Sequence, residues 1–228
     1  MINYLLYLAL VLSLAPQAPF NWVSFKMEKR ANRDGKTTKL NADIYFGRKG
    51  EMVTHFTSPA EVYILNNKKG ELSVYNPEIN SVYQSVNYQA GSESTTFYYF
   101  LMNQSADMGL NRIGFKLSDS KVDGKLLINI WEPPQEIPGL ADIELVRDSG
   151  KPIFMGYRDK KGKYVKKVFY YNYEFFRGIN FPMAITEIDY VEQDSIVSKT
   201  TFNSFQFDMA SDQEMLQFQI PKDAVPEK

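Results

Sequence analysis

Clusters of Asn, Asp and Gly recur along this chain at roughly strand-length intervals, and they limit what it can fold into more than any other feature. They are Asn32-Arg-Asp-Gly35, Asn66-Asn-Lys-Lys-Gly70, Asp123-Gly124, Asp148-Ser-Gly150 and Asp159-Lys-Lys-Gly162. Each lies between runs rich in Val, Ile, Tyr and Phe. These residues accept the positive φ that tight hairpins demand, so the clusters read as turns between antiparallel strands. Strands are expected over 22–31, 37–46, 51–57, 61–65, 71–75, 81–88, 112–118, 124–131, 141–147, 151–157, 163–176, 182–191, 196–208 and 215–220. No helix-sized apolar pattern separates most of them, which excludes alternating βαβ units and their parallel sheet. Sixteen Phe and fifteen Tyr support the same reading, because aromatic side chains suit pleated, half-buried surfaces.

One stretch breaks the pattern. Residues 94–110 begin with Ser and Thr suited to a helix start, then place Phe97, Phe100 and Leu101 at i, i+3 and i+4, on one helical face. Ser105 is suited to cap a second short helix that Gly109 would stop. A lone helical insertion in a β chain must bury its apolar stripe against a sheet. It would either plug one end of a barrel or form a lid over a ligand cavity, and the spacing alone favours neither.

The charge count is nearly even, 26 basic against 27 acidic residues. Nucleic acid is therefore not expected as a partner, because neutralising phosphates needs a basic excess or a concentrated patch. The densest basic run, Arg158 to Lys163 with Lys166 and Lys167, reads as a solvated hairpin turn. There is no cysteine, which removes disulfides, thiolate metal sites and cysteine nucleophiles, and also an N-terminal lipidated cysteine. Tyr4 to Leu14 is apolar apart from Ser13, too short for the roughly 20 residues that span a bilayer. With Ala15 and Ala18 just beyond, residues 1–18 read as a secretory signal, the alternative being a hydrophobic N-terminus kept in the fold. Residues 19–228 then form a single domain.

Catalytic chemistry finds little footing. His55 is the only histidine, so a Ser–His–Asp triad would have to use it and no two-histidine metal site can form. No G-x-S-x-G elbow, phosphate-binding glycine loop or H-E-x-x-H occurs. Asp142/Glu144 and Glu187/Asp189 alternate along strands as solvated faces do. An enzyme is not expected, nor any cofactor or metal.

The strand faces offer more. Met52, Thr54 and Phe56 share one face while Val53 and His55 share the other. Val168 to Phe176 is apolar or aromatic on both faces, so a second sheet, a helix or a bound lipid must cover it.

The segment from Asp43 to Ser85 carries a family resemblance. It runs Asp43-Ile-Tyr-Phe-Gly-Arg48, Phe56-Thr-Ser-Pro59, a turn at Asn66–Gly70, Tyr75-Asn-Pro77 and Val82-Tyr-Gln84. In order and spacing it resembles the LolA-like periplasmic carriers of outer-membrane lipoproteins. Phe97 to Asp107 is similar to the family's lid stretch, and Phe205-x-Phe207 with Phe218-Gln-Ile-Pro221 to its closing strand.

The resemblance implies an unclosed β-barrel, a strongly curved antiparallel sheet whose concave side is covered by a short helical lid. It implies a periplasmic, unanchored and monomeric protein that shields lipoprotein acyl chains or other lipid. An inner-membrane release complex and an outer-membrane acceptor would be its partners. Ile44, Phe46, Met52, Phe56, Leu72 and Val74 would line the hollow, with Phe97, Phe100 and Leu101 over it. Arg48 would bond the lid, although a charged residue at a hairpin turn is an equally good reading of that position. The chain departs from the family where Phe20 to Phe25 enters the first strand without an amphipathic helix before it, and where Gly178 to Ala184 adds a hairpin. A non-catalytic interaction or sensor module on the same sheet is the alternative reading.

Overall fold

Hairpin turns at the expected clusters link long antiparallel neighbours into one curved sheet. The computed structural model describes residues 18–87, 90–191 and 194–227; residues 1–17 of the signal-like stretch lie outside them, and its last residue, Ala18, is buried in the main apolar cluster. Six strands form the first half: β1 (Trp22–Arg33), β2 (Lys36–Gly47), β3 (Met52–Ser58), β4 (Val62–Asn66), β5 (Glu71–Asn76) and β6 (Ser81–Val86). Seven form the second: β7 (Lys116–Asp123), β8 (Leu126–Glu132), β9 (Asp142–Asp148), β10 (Lys151–Arg158), β11 (Tyr164–Phe176), β12 (Ile179–Val191) and β13 (Asp194–Phe207). Each half is an antiparallel meander, and β13 returns to pair with the opposite side of β1. A two-residue strand, β14 (Val225–Pro226), lies parallel to β6. The order across the sheet is β14-β6-β5-β4-β3-β2-β1-β13-β12-β11-β10-β9-β8-β7.

This order forces the one long connection. Strands β6 and β7 follow each other in sequence but lie at opposite ends of the sheet, so residues 87–115 must cross the open side. The crossing holds a 3₁₀ turn (Ser92–Ser94) and one helical turn, α1 (Tyr98–Leu101). Register shifts at Ser24/Lys26, Asn41/Ala42, Leu117/Asp119 and Pro152/Phe154 add local twist, which lets so wide a sheet curl.

Most expected strands match to within a few residues, and the exceptions have local causes. The expected strand at 112–118 starts only at Lys116, because Gly114 at φ 91 ends the crossing in a turn. The expected strand at 215–220 is instead the end of a second helix, α2 (Ala210–Leu216), followed by a loop. Gln213, Glu214, Met215 and Leu216 are all strong helix formers, and they outweigh the apolar alternation seen in isolation. The helix expected after Ser105 does not form. Asn103, Met108 and Gly109 all adopt positive φ, which no right-handed helix tolerates. There the turn is held by Asp107, whose carboxylate accepts from the backbone N–H of Gly109 at 3.0 Å and of Asn111 at 3.3 Å.

Candidate ligand cavity

The crossing segment is pinned at its start. Ser92 donates its hydroxyl to the Gly50 carbonyl at 2.7 Å, and Asn66 donates its side-chain amide to the Ala90 carbonyl at 3.0 Å. From there α1 drives its apolar face into the concave side. Phe97 meets Phe25 edge-on at 5.3 Å, Tyr98 meets Phe46 at 5.8 Å, and Phe100 lies 5.3 Å from Tyr170. Burial pushes the Tyr98 hydroxyl up to about 12, so it remains a neutral donor, and it bonds the Glu93 carboxylate at 3.0 Å. Arg112 closes the segment on itself by pairing with Glu93 and donating to the Tyr99 hydroxyl at 3.0 Å.

A cavity of about 950 Å³ opens between residues 93–115 and the second half of the sheet. Its floor is the concave face of β9, β10 and β11, where Ile143, Met155, Tyr157, Val168 and Tyr170 share one parity by cross-strand register. Met108, Leu110 and Phe115 form its roof. The volume lies within the roughly 300–1,000 Å³ typical of small-molecule sites.

Charged side chains line it as well: Lys68, Glu93 and Arg112 on one side and Lys166 and Glu187 on the sheet. Lys166 bonds Glu187 at 2.9 Å and Asp189 at 3.2 Å, and Lys29 reaches Glu187 at 3.2 Å. Burial pushes the Glu187 carboxyl up, but bonds and charge from Lys166 and Lys29 outweigh it and hold it below the usual carboxylate range. Burial above all, with Tyr157, Tyr173 and Glu187 nearby, raises the Tyr170 hydroxyl far above its ordinary value, so it stays neutral. Such an arrangement can enclose an apolar chain and meet a polar group at the opening; it presents no activated nucleophile.

The sequence-derived positions fall in three places. Ile44, Phe46, Met52, Phe56, Leu72 and Val74 share the concave face of β2, β3 and β5 by register. Phe97, Phe100 and Leu101 are 6%, 1% and 0% exposed, and with Ile44, Phe46 and Met52 they belong to the main apolar cluster beneath α1. The large cavity adjoins this packed region instead of lying within it. Arg48 is exposed in the β2–β3 turn, and its backbone N–H donates to Asn21 at 2.8 Å. Among the described residues its guanidinium makes no bond to the crossing segment, whereas Arg112 does. His55 stacks on Tyr63 at 4.2 Å and meets Glu61 at 3.0 Å, on the face of β3 opposite Met52.

Of the floor residues, Val168 and Tyr170 lie in the run that the sequence marked as needing cover on both faces, whereas Ile143 and Met155 were not singled out. Their alternation is legible there, but every inward position of the second half shares it, so the pattern cannot show which of them borders empty space.

This architecture recurs in solved structures. A LolA superfamily protein of Nitrosomonas europaea superposes with a TM-score of 0.58 at 13% identity, over 92% of this chain and 94% of that one. The chain shares the fold of that protein. A domain of Vibrio parahaemolyticus named for outer membrane lipoprotein sorting gives 0.58 at 12% identity, over 87% and 92% of the two chains. A DUF1329 family protein of Desulfovibrio piger gives 0.57 at 16% identity, over 84% and 87%. No protein-family model and no curated sequence matches the chain, so the LolA-like likeness is one of fold. Within that fold the first described element is β1, which begins at Trp22 with Phe20 buried just before it.

Proposed function

We propose that this protein is a non-catalytic periplasmic carrier that shields the acyl chains of a lipidated cargo. The observation that supports this most is the cavity of about 950 Å³, floored by Ile143, Met155, Val168 and Tyr170, roofed by Met108, Leu110 and Phe115, and bordered by a few charged side chains. Burying a methylene is worth about 0.8 kcal/mol, so a sixteen-carbon chain offers roughly 12 kcal/mol gross. A carrier must also let go. A roof built from turns rather than a long helix suits that need, since residues 102–115 can shift while α1 stays anchored in the core. Arg112, bridging Glu93 and Tyr99, is the tie that such a shift would loosen. The cluster of Ile44, Phe46 and Met52 under Phe97, Phe100 and Leu101 would join the hollow only if α1 lifted as well. The two membrane partners implied by the LolA resemblance, a release complex and an acceptor, belong to this reading.

A second reading, an interaction module, draws on a specific observation too: α1 and its rings fill the first half of the concave side.

Binding of a fluorescent polyunsaturated fatty acid to the delipidated protein separates the two. The carrier reading expects saturable binding that Val168→Trp, filling the floor, weakens at least about tenfold, or 1.4 kcal/mol. Its core strain is expected to cost about 1–3 kcal/mol, and a thermal melt checks that the variant is folded. Lipid mass spectrometry of protein purified from its native envelope adds the cargo. Absence of probe binding together with absence of any acyl-bearing co-purifying species would sink the carrier reading and leave the module.

A further inference from the structure

Lys68 stands apart among the described residues that line the large cavity. It alone comes from the first half of the sheet, in the turn between β4 and β5, whereas the others belong to the crossing segment or to the second half. That turn is fastened to the crossing segment, because the Ser92 N–H donates to the Asn67 carbonyl at 3.1 Å. Gly50 lies under the lysine stem: a Cβ there would come within 2.4 Å of Lys68 Cε. The ammonium sits 5.7 Å from the centroid of the Tyr98 ring. Contacts along the stem and at the tip thus hold this side chain at the cavity wall. A cation over a ring keeps its three N–H donors. Among the described residues Lys68 has no hydrogen bond and no carboxylate partner.

The other charges of the lining are matched. Arg112 pairs with Glu93, and Lys166 with Glu187. Lys68, Arg112 and Lys166 therefore stand against Glu93 and Glu187, an excess of one positive charge. Adding the outer partners Lys29 and Asp189 leaves that excess unchanged. Ser94 and Thr96 also line the cavity, beside Glu93, with hydroxyls that bond nothing among the described residues. Free donors thus gather where the crossing segment starts, while Ile143, Met155 and Val168 offer apolar surface on the second half of the sheet.

We propose that the cargo is an amphiphile with an anionic head, a carboxylate or a phosphate. The Lys68 ammonium and the Ser94 and Thr96 hydroxyls receive that head while its chain lies along the floor. This rests on the carrier reading and narrows it. Carboxylate and phosphate oxygens accept charge-assisted bonds, and the free groups of this wall can all donate. A cationic head would meet only carboxylates that already have partners. A neutral head would use the hydroxyls and leave the ammonium unmatched.

Competition on the delipidated full chain tests this, with a fluorescent polyunsaturated alcohol as a reporter that carries no head charge. The competitors are decanoate, decyl phosphate, decan-1-ol and decylammonium at neutral pH. Lys68 is exposed to solvent, which keeps the gain modest, so the better of the two anions is expected to bind at least about fivefold tighter than the alcohol. Decylammonium is expected to bind weakest. Whichever anion leads identifies the head as carboxylate or phosphate. Lys68→Met, which keeps the stem, is expected to remove the preference without changing decan-1-ol, and Lys125→Met, in the β7–β8 turn, to change neither. A thermal melt shows whether Lys68→Met is folded; if it is not, the ranking of head groups on the wild type decides alone. Equal binding of anions and alcohol, a preference for the amine, or equal losses of anion and alcohol in Lys68→Met would each overturn the inference and leave the carrier reading standing. Binding of neither the reporter nor decanoate would sink both.

Discussion

Gly109 shows how much of the crossing segment rests on single atoms. Its φ is +76, and a Cβ there would sit 2.1 Å from the Tyr99 ring. Gly109→Ala must therefore both strain the backbone and push aside the tyrosine that Arg112 bonds. Gly124 is also left-handed, at φ +59, yet a Cβ there meets nothing within 4 Å. The alanine variant at 124 is expected to cost about 1 kcal/mol and that at 109 about 2–4 kcal/mol, the difference being the clash. Urea midpoints of the two variants check this, and equal losses would show that Tyr99 yields freely. At this scale the sequence was partly legible. The i, i+3, i+4 spacing of Phe97, Phe100 and Leu101 foretold burial, because one helical face must find apolar cover. Nothing local distinguished Arg112 from Arg48, since both sit in polar turns and only the path of the crossing segment brings one of them to Tyr99.

Between elements, the row Lys29–Glu187–Lys166–Asp189 links β1, β11 and β12, and its two middle members line the cavity. The pKa of Glu187 is lowered on folding, so its ionisation contributes stability that is complete above its unfolded value of about 4.5 and is lost as pH falls through the folded value. The Lys166 pKa is raised despite the opposing effect of burial, so its share is lost only as pH rises through that elevated value, far on the alkaline side. Acidification below about pH 4.5 is thus expected to destabilise the wild type more steeply than Glu187→Gln. The variant should be weaker at pH 7, because both lysines lose a partner. Urea midpoints at neutral and acid pH check the crossing of the two curves, and parallel curves would show that Glu187 contributes no pH-linked stability. In the sequence Glu187 and Asp189 looked like a solvated face. Their alternation is real, but it falls on the concave side, where the neighbouring lysines arrive from other strands.

Across the whole molecule, an unclosed sheet must manage two edges. Strand β7 is exposed along its length and carries Lys116, Asp119, Lys121 and Asp123 with a register shift, features that discourage pairing with another chain. The other edge is covered. Phe218 stacks on Tyr63 at 4.5 Å, Asn80 bonds Asp223, Ser81 bonds Glu227, and Val225 pairs with Ser81. Removing residues 222–228 would uncover β6, and the truncated protein is expected to self-associate with rising concentration where the intact chain does not. Sedimentation velocity over a concentration series checks this; identical sedimentation of the two would show that β6 needs no cover.

Turn chemistry and aromatic content determined the meander, because positive-φ residues at hairpin tips act within a few residues of themselves. They also determined that one stretch, 94–110, could not be strand. Only the tertiary structure decided that the crossing fills one half of the hollow and leaves the other open, and that α2 covers a bulge instead of extending the sheet. Those outcomes depend on which strand faces meet across the curvature of the sheet. Contacts between residues 100 or more positions apart are set by the volume and charge of both partners at once, and neither segment carries that information alone.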